Sequence, residues 1–378
     1  MSLRVGFNAY LLSHPSLRGW NRYTVNLLAA LPAQGVRPVL YSLAPIHPDH
    51  LARLPPDCYE VKVAPPMRYL WFENVWLPRQ LRRDHIDVFH CPMNYGLPWS
   101  TPCPRVLTLH DAIDQVYYGR RSPWSQRWRW SSIRSRLANW AARHRAHHII
   151  TVSGHAKDDI VRHLGVAPDK ISVIYEAADP LFHKPITPEA VAEVRRRWGL
   201  ERPYFLYVGG WEQRKNVPFL IRAYAAAKLE GVELVLAGGR PSEYASLEQL
   251  AEQAGCLGQL HLLGWVPDSD LPGLYAGALA FVYPSEYEGF GLQVCEAMAV
   301  GCPVLAARAT SLPEILGSGG LTFTLDGPEE LAILLRRLAQ ESAFRQDLSD
   351  RARRRAATFS WDYTAAATAK VYCQLTDR

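Results

Sequence analysis

The stretch YPSEYEGFGLQVCEAMAVGCPV, residues 283–304, decides the fold of this chain. The run AFVYPS that leads into it is apolar and ends in Pro-Ser, as a buried parallel strand does on reaching a loop. From Leu292 to Val300 the spacing turns helical, and it stops at Gly301, a helix-ending glycine. Glu288, Gly289, Phe290 and Gly291 fill the loop between strand and helix. A second glutamate, Glu296, follows eight residues after the first and lies on the helix. The glycines let backbone N–H groups at the helix start come close to an anion, where the helix dipole favours negative charge. A carboxylate on that helix can accept bonds from hydroxyls. The local chemistry suits a ligand carrying phosphate beside hydroxyl groups. A glutamate pair on a solvated helix with ordinary capping glycines is the plain alternative.

Outward from this stretch, short β-rich runs alternate with longer helical ones along the whole chain. Strands are expected at 4–9, 38–42, 59–64, 87–92, 105–110, 147–153 and 171–175 in the first half. The pattern restarts with 204–210, 233–238, 259–264, 279–285 and 303–308, with helices at 217–229 and 328–340 among them. Such alternation implies an α/β protein with parallel sheets covered on both faces, in two doubly wound domains. Residues 1–180 form the first expected domain, 181–202 a linker with one helix, and 203–358 the second domain. Ligands of open α/β sheets bind beyond the carboxyl ends of strands, which places the expected site in a cleft where the two domains face each other.

A second cluster stands in VGGWEQRKNVPFLIRAY, residues 208–224. Gly209 and Gly210 end a strand, Arg214 and Lys215 follow in the loop, and Asn216 is placed to cap the next helix. Two adjacent cations beside a tight glycine turn suit a diphosphate and would neutralise charge on a leaving nucleotide. In the first half, TLHDAIDQVYYG (108–119) sets His110 and Asp111 at a strand end. The imidazole could donate to a hydroxyl or take a proton, with Asp111 orienting it, and a structural His–Asp bond is the plainer alternative. Asp268-Ser269-Asp270 reads as a helix start with capping acids rather than a metal site, and Ser153 as a helix cap.

These segments together resemble the retaining family 4 glycosyltransferases of GT-B fold, in particular a mannosyltransferase-like branch. The resemblance rests on the Glu288-x7-Glu296 signature, the RK pair at 214–215 and the HD pair at 110–111, and it covers essentially the whole chain. It implies that Glu288 lies near the donor sugar with His110, that Glu296 holds the ribose, and that Arg214 and Lys215 bind the donor diphosphate. It places Gly209, Gly210, Gly289, Phe290, Gly291 and Leu292 around the donor, Trp265 and Val266 beside the nucleotide base, and Thr310 and Ser311 at the donor phosphates. One departure is Gly210, where many relatives have arginine. HPSLRGWNRYTVNLLAAL (14–31) resembles the family's glycine loop on the acceptor side: Gly19 matches its first glycine, Asn21 replaces the second, and Arg22 and Tyr23 are retained. The resemblance also carries the tail helix, 359–378, back onto the first domain.

The implied activity is that of a metal-independent, retaining hexosyltransferase. It moves a hexose from a GDP- or UDP-sugar to a glycan or lipid-linked acceptor and forms an α-linkage, with no cofactor and no metal ligands. Two other readings stay open: a nucleotide-sugar epimerase of GT-B fold, and a binding protein without catalysis. The first strand is not followed by G-x-G-x-x-G, which counts against a dinucleotide cofactor.

Composition narrows the setting. At 378 residues and 48% hydrophobic, the chain can build two ordinary cores. No run approaches the about 20 apolar residues of a membrane span. MSLRVGFNAYLL reads as a first strand rather than a signal peptide. Seven cysteines without a C-x-x-C pair argue for reduced thiols and a cytoplasmic protein. The net charge of +6 is uneven, because no acid occurs from 115 to 157. Within 120–148, Trp130, Ile133, Leu137 and Trp140 share a helix face while Arg127, Arg134 and Arg136 fall elsewhere. Core packing explains such a stripe; so does an anionic membrane surface, which would place the enzyme peripherally on the inner face of the membrane. No RNA- or DNA-binding motif accompanies the arginines, which leaves nucleic acid unsupported.

Overall fold

The computed structural model describes residues 2–15, 19–118 and 130–377, without the side chains of 130–136. It separates into two compact units, Met1–Glu176 with Ser360–Arg378, and Ala177–Phe359. Among the described residues the first unit holds a parallel sheet of β1 (Leu3–Asn8), β2 (Val36–Ser42), β3 (Glu60–Val63), β4 (Val88–Cys91), β5 (Arg105–Thr108), β6 (His148–Thr151) and β7 (Ile171–Val173). Its strand order is β3-β2-β1-β4-β5-β6-β7. The second unit holds β8 (Tyr204–Val208), β9 (Glu233–Ala237), β10 (Leu260–Gly264), β11 (Ala280–Tyr283), β12 (Val304–Ala307) and β13 (Leu321–Phe323), in the order β10-β9-β8-β11-β12-β13.

Both orders reverse beside their first strand, between β1 and β4 and between β8 and β11. A doubly wound sheet leaves a crevice at that reversal, because the flanking connections run to opposite faces. In β4, β9, β11 and β12 every residue is buried. Continuous apolar runs of this kind are required where helices cover both faces. The edge strand β3, EVKV, is only partly covered and carries charge, which discourages further pairing.

The helix Leu292–Val300 follows β11 as its sequence predicts and ends on Gly301 at φ 84°, a left-handed conformation suited to glycine. It is apolar nearly all round because the helix Ser342–Ala356 packs on its outer side. Helix Trp361–Thr376 belongs to the first unit. The Thr364 hydroxyl donates to the Tyr175 carbonyl (2.7 Å), and the Tyr372 hydroxyl meets His90 Nδ1 (2.6 Å).

Three expectations are corrected. Residues 181–202 are not a free linker: they lie in the second unit, where helix Pro188–Arg197 packs on helix Leu271–Gly277. Asp270 precedes that second helix without capping it. Its carboxylate instead accepts from Arg197 Nη1 (2.7 Å) and Trp198 Nε1 (3.0 Å), because a buried acid gains more from a charged partner than from a backbone N–H. Asn216 likewise stands at a cap position without a side-chain cap bond, its φ of 52° turning the chain into the helix. Ser153 does cap, its hydroxyl accepting from Ala156 N (3.0 Å). The arginine–tryptophan segment falls partly outside the described residues, Trp124, Arg127, Trp128 and Arg129 among them. Within helix Trp130–His144, Leu137 is 55% and Trp140 42% exposed, so at these two positions the apolar stripe is not core.

Candidate active site

In the second unit the expected donor residues gather at the carboxyl end of the sheet, on both sides of the β8–β11 reversal. The loop after β8 carries Gly209 to Lys215, and the loop after β11 carries Ser285 to Gly291. Glu288 joins the two. Its Oε1 accepts from Lys215 Nζ (2.6 Å), Ser285 Oγ (2.6 Å) and Arg214 Nη1 (2.9 Å), and lies 3.1 Å from the Tyr283 hydroxyl. Lys215 Nζ also donates to the Tyr283 hydroxyl, and Arg214 Nη1 to the Tyr287 carbonyl (3.2 Å). These bonds all fall on Oε1 and none on Oε2.

Charge explains why this cluster holds. Burial alone would push the Glu288 carboxyl up, but Lys215 and Arg214 outweigh it and hold it below the usual carboxylate range. Burial draws the Lys215 ammonium down from the usual lysine range, and Glu288 opposes that shift. Arg214 and Lys215 both bond Glu288, and the Glu212 carboxylate also acts on Lys215, so two cations stand among two acids in a largely buried cluster. The two cations can hold an anion that reaches them, since charges interact several-fold more strongly there than in water.

The glycines shape the approach. A side chain on Gly238 would meet the Gly209 carbonyl oxygen at 2.1 Å, so the turns ending β8 and β9 touch backbone to backbone. Gly238 N donates to the Gly264 carbonyl (2.5 Å), which brings the end of β10 alongside. Trp211 lies over Gly239, and Trp265, just past β10, is 63% exposed beside buried Val266. Gly210, standing where many relatives have arginine, has Glu212 against the position of an added Cβ (2.5 Å). On the other side the 310–311 loop clamps the Glu288 turn: the Thr310 hydroxyl accepts from Glu288 N (3.0 Å), and the Ser311 hydroxyl bonds the Glu288 and Phe290 carbonyls (3.0 and 3.1 Å). Gly291, at φ 101°, opens the helix that begins at Leu292 and carries Glu296, which is buried. Neither Gly238 nor Gly239 stands out in the sequence, although Gly238 ends the strand expected at 233–238 and Gly239 follows it.

The first unit gathers a second group at its own carboxyl edge. His110 follows β5, with Trp20 stacked at 6.0 Å and Tyr23 edge-on at 4.8 Å. Gly19 opens the helix Trp20–Ala30 with φ 47°. Asn21 is turned inward, its amide donating to the Leu11 carbonyl (3.2 Å), and Arg22 is buried. The carboxylate on the His110 ring belongs to Glu176, 3.0 Å from Nδ1, and not to Asp111 as the sequence suggests. Asp111 Oδ1 accepts instead from Ile113 N and from Asn94 Nδ2, both at 3.2 Å, closing a turn of its own. No group of three or more His, Cys, Asp or Glu among the described residues could hold a metal ion.

Two Rossmann-like α/β units, each reversing strand order beside its first strand, define the GT-B fold. The sequence pattern of glycosyl transferases group 1 matches residues 191–355, and that of glycosyltransferase family 4 matches residues 17–180. The chain is 36% identical to the O-antigen chain mannosyltransferase B of Escherichia coli over 79% of this chain and 72% of that protein. It is 31% identical to the MMP alpha-(1->4)-mannosyltransferase of Mycolicibacterium hassiacum over 77% and 71%. Among solved structures, WaaG, a glycosyltransferase involved in lipopolysaccharide biosynthesis, superposes with a TM-score of 0.76 at 18% identity over 97% of this chain and 99% of that one. Anabaena HepE, solved with UDP and glucose, gives 0.76 at 19% over 99% and 100%, and both likenesses show the fold alone. The chain belongs to the group 1, family 4 glycosyltransferases and is a glycosyltransferase.

Proposed function

We propose that this enzyme transfers mannose from GDP-mannose to a glycan acceptor hydroxyl with retention, forming an α-linkage in a cell-surface polysaccharide. The observation that carries this reading is the Glu288–Lys215–Arg214 cluster at the strand reversal. Its two adjacent cations suit a nucleoside diphosphate, and we take Glu288 Oε2, which accepts none of these bonds, as the oxygen that faces the sugar. The names of the relatives favour mannose, and a UDP-hexose is the next donor to try. On the family resemblance we assign His110 to the donor sugar. Two cations draw the charge of Glu288 toward Oε1, which makes it a poor nucleophile. That supports front-side attack, with the leaving diphosphate helping to take the acceptor's proton and Arg214 and Lys215 standing in for a metal ion.

Turnover tests the reading. Incubation with GDP-mannose and a mannan-type acceptor should release GDP and give an α-mannoside. Conversion of the donor without acceptor would point to an epimerase, and binding without turnover to a non-catalytic protein. Glu296→Ala should weaken nucleoside diphosphate binding about 10- to 100-fold, the range for losing charged hydrogen bonds to hydroxyls. Calorimetric titration on folded protein measures this, and an unchanged affinity would remove Glu296 from the ribose.

A lipid-linked acceptor presented at an anionic membrane is favoured by a separate observation. Leu137 and Trp140 are exposed on the acid-free helix, Trp99 (56% exposed) lies 6.1 Å from the Trp140 ring, and the Arg145 guanidinium sits 5.1 Å over it. The Asn74 side chain links the backbone of Trp99 to that of Leu70, so exposed Leu70 and Trp71 continue the patch. Tryptophans suit the bilayer interface, and each basic residue near an anionic leaflet adds about 1 kcal/mol. The protein should sediment with anionic liposomes at low salt, and Trp99→Ser with Trp140→Ser should release it. A protein that stays in the supernatant would make a soluble glycan the acceptor.

A further inference from the structure

Two buried histidines stand side by side beneath the carboxyl edge of the first sheet, and their partners differ in kind. His90 meets only hydroxyls, with Nδ1 at 2.6 Å from the Tyr372 hydroxyl and Nε2 at 2.7 Å from Thr108 Oγ1. A hydroxyl can donate or accept, so this ring is satisfied in its neutral form. Burial and the nearby His110 both push its pKa down, to about 3.

His110 meets only acceptors. Its Nδ1 is 3.0 Å from Glu176 Oε1 and its Nε2 is 3.2 Å from the Pro92 carbonyl oxygen. The groups packed around it add no donor to the ring: Trp20 and Tyr23 present their aromatic faces and edges, the Tyr23 hydroxyl is spent on Thr108 Oγ1 (3.1 Å), and Asn94 Oδ1 accepts from the His110 backbone N–H (2.8 Å). A ring nitrogen aimed at an acceptor must carry a proton, and both are so aimed when Glu176 is ionised. Glu176 is itself buried, so its ionised form requires a cation beside it, and the His110 ring lies within ion-pair distance.

We propose that Glu176 is a positioning residue that holds His110 as an imidazolium, with both N–H groups donating inward, so that His110 serves as a fixed cation and not as a proton acceptor. The ring then carries a positive charge and keeps no lone pair to accept a proton. Proton removal from the acceptor falls to another group, which agrees with the leaving diphosphate in that role. The effect on turnover rests on His110 acting at the donor sugar; the protonation state of the ring does not.

Nitrogen NMR of the histidine rings in the intact protein at neutral pH separates the two. The chain has 13 histidines, and His110→Asn identifies the signals of His110 by difference. Two protonated ring nitrogens are expected in the wild type. Glu176→Gln keeps an oxygen to accept from Nδ1 but removes the charge, and should leave one protonated nitrogen. Turnover of Glu176→Gln should fall about 10- to 100-fold with the donor KM little changed, the scale of losing one electrostatic group at a reacting centre. In a His110→Asn background the same change should cost nothing further. A single protonated nitrogen in the wild type overturns the proposal, and this holds even if Glu176→Gln does not fold. An additional loss in the double variant overturns the positioning role. An imidazolium with full turnover in both single variants overturns the assignment of His110 to the reaction while the ion pair stands.

Discussion

Glu288→Ala is expected to lower turnover at least about a hundredfold and to destabilise the second unit by about 3–5 kcal/mol, the cost of leaving a buried charge without its partner. The large stability term follows from Lys215, which is 5% exposed and loses its carboxylate. The loss should depend on pH in one direction. Glu288 is held below the usual carboxylate range, so its stabilisation is complete above that range and disappears as pH falls through its folded-state pKa. Urea unfolding of wild type and variant should therefore differ most near neutral pH and converge in acid. A variant as stable as the wild type at neutral pH would mean that the cluster is open to water.

Lys215→Met is expected to lower turnover by about 10²–10³-fold, as removal of one preorganised charge at a reacting centre does elsewhere. Methionine keeps most of the volume, and Glu288 retains Arg214, Ser285 and Tyr283 as donors, so the fold should survive. Steady-state kinetics with saturating donor read the effect. A loss confined to the donor KM would make Lys215 a binding group only, since such an interaction is equal in the ground and transition states.

The sequence is informative where the chemistry is local. Runs such as YFLYV and AFVY announce buried strands because parallel sheets need apolar residues on both faces. The helix Leu292–Val300 is delimited by its own glycines, and the Arg214–Lys215 pair is visible because its members are adjacent. The short strand Leu321–Phe323 escapes because three residues after GSGG carry no readable period. Glu176 escapes for a different reason. It follows the strand expected at 171–175 with no motif around it, and only the parallel pairing of β5 with β6 and β6 with β7 brings the end of β7 near His110, 66 residues earlier. Asp270 is misread as a cap in the same way, since its partner Arg197 lies 73 residues away. Contacts made by sheet register or helix packing leave no mark on the residues beside them.

We propose that Glu288, Lys215 and Arg214 form a diphosphate site that works without a metal ion. It is tested most directly by titrating GDP and UDP into the wild type and into Arg214→Gln/Lys215→Met, each with and without a strong chelator. At least one nucleotide should bind the wild type with the same affinity in chelator, and should bind the double variant at least about tenfold more weakly, a loss of about 1.4 kcal/mol. Equal binding to both proteins, or binding that vanishes with chelator, would contradict the account.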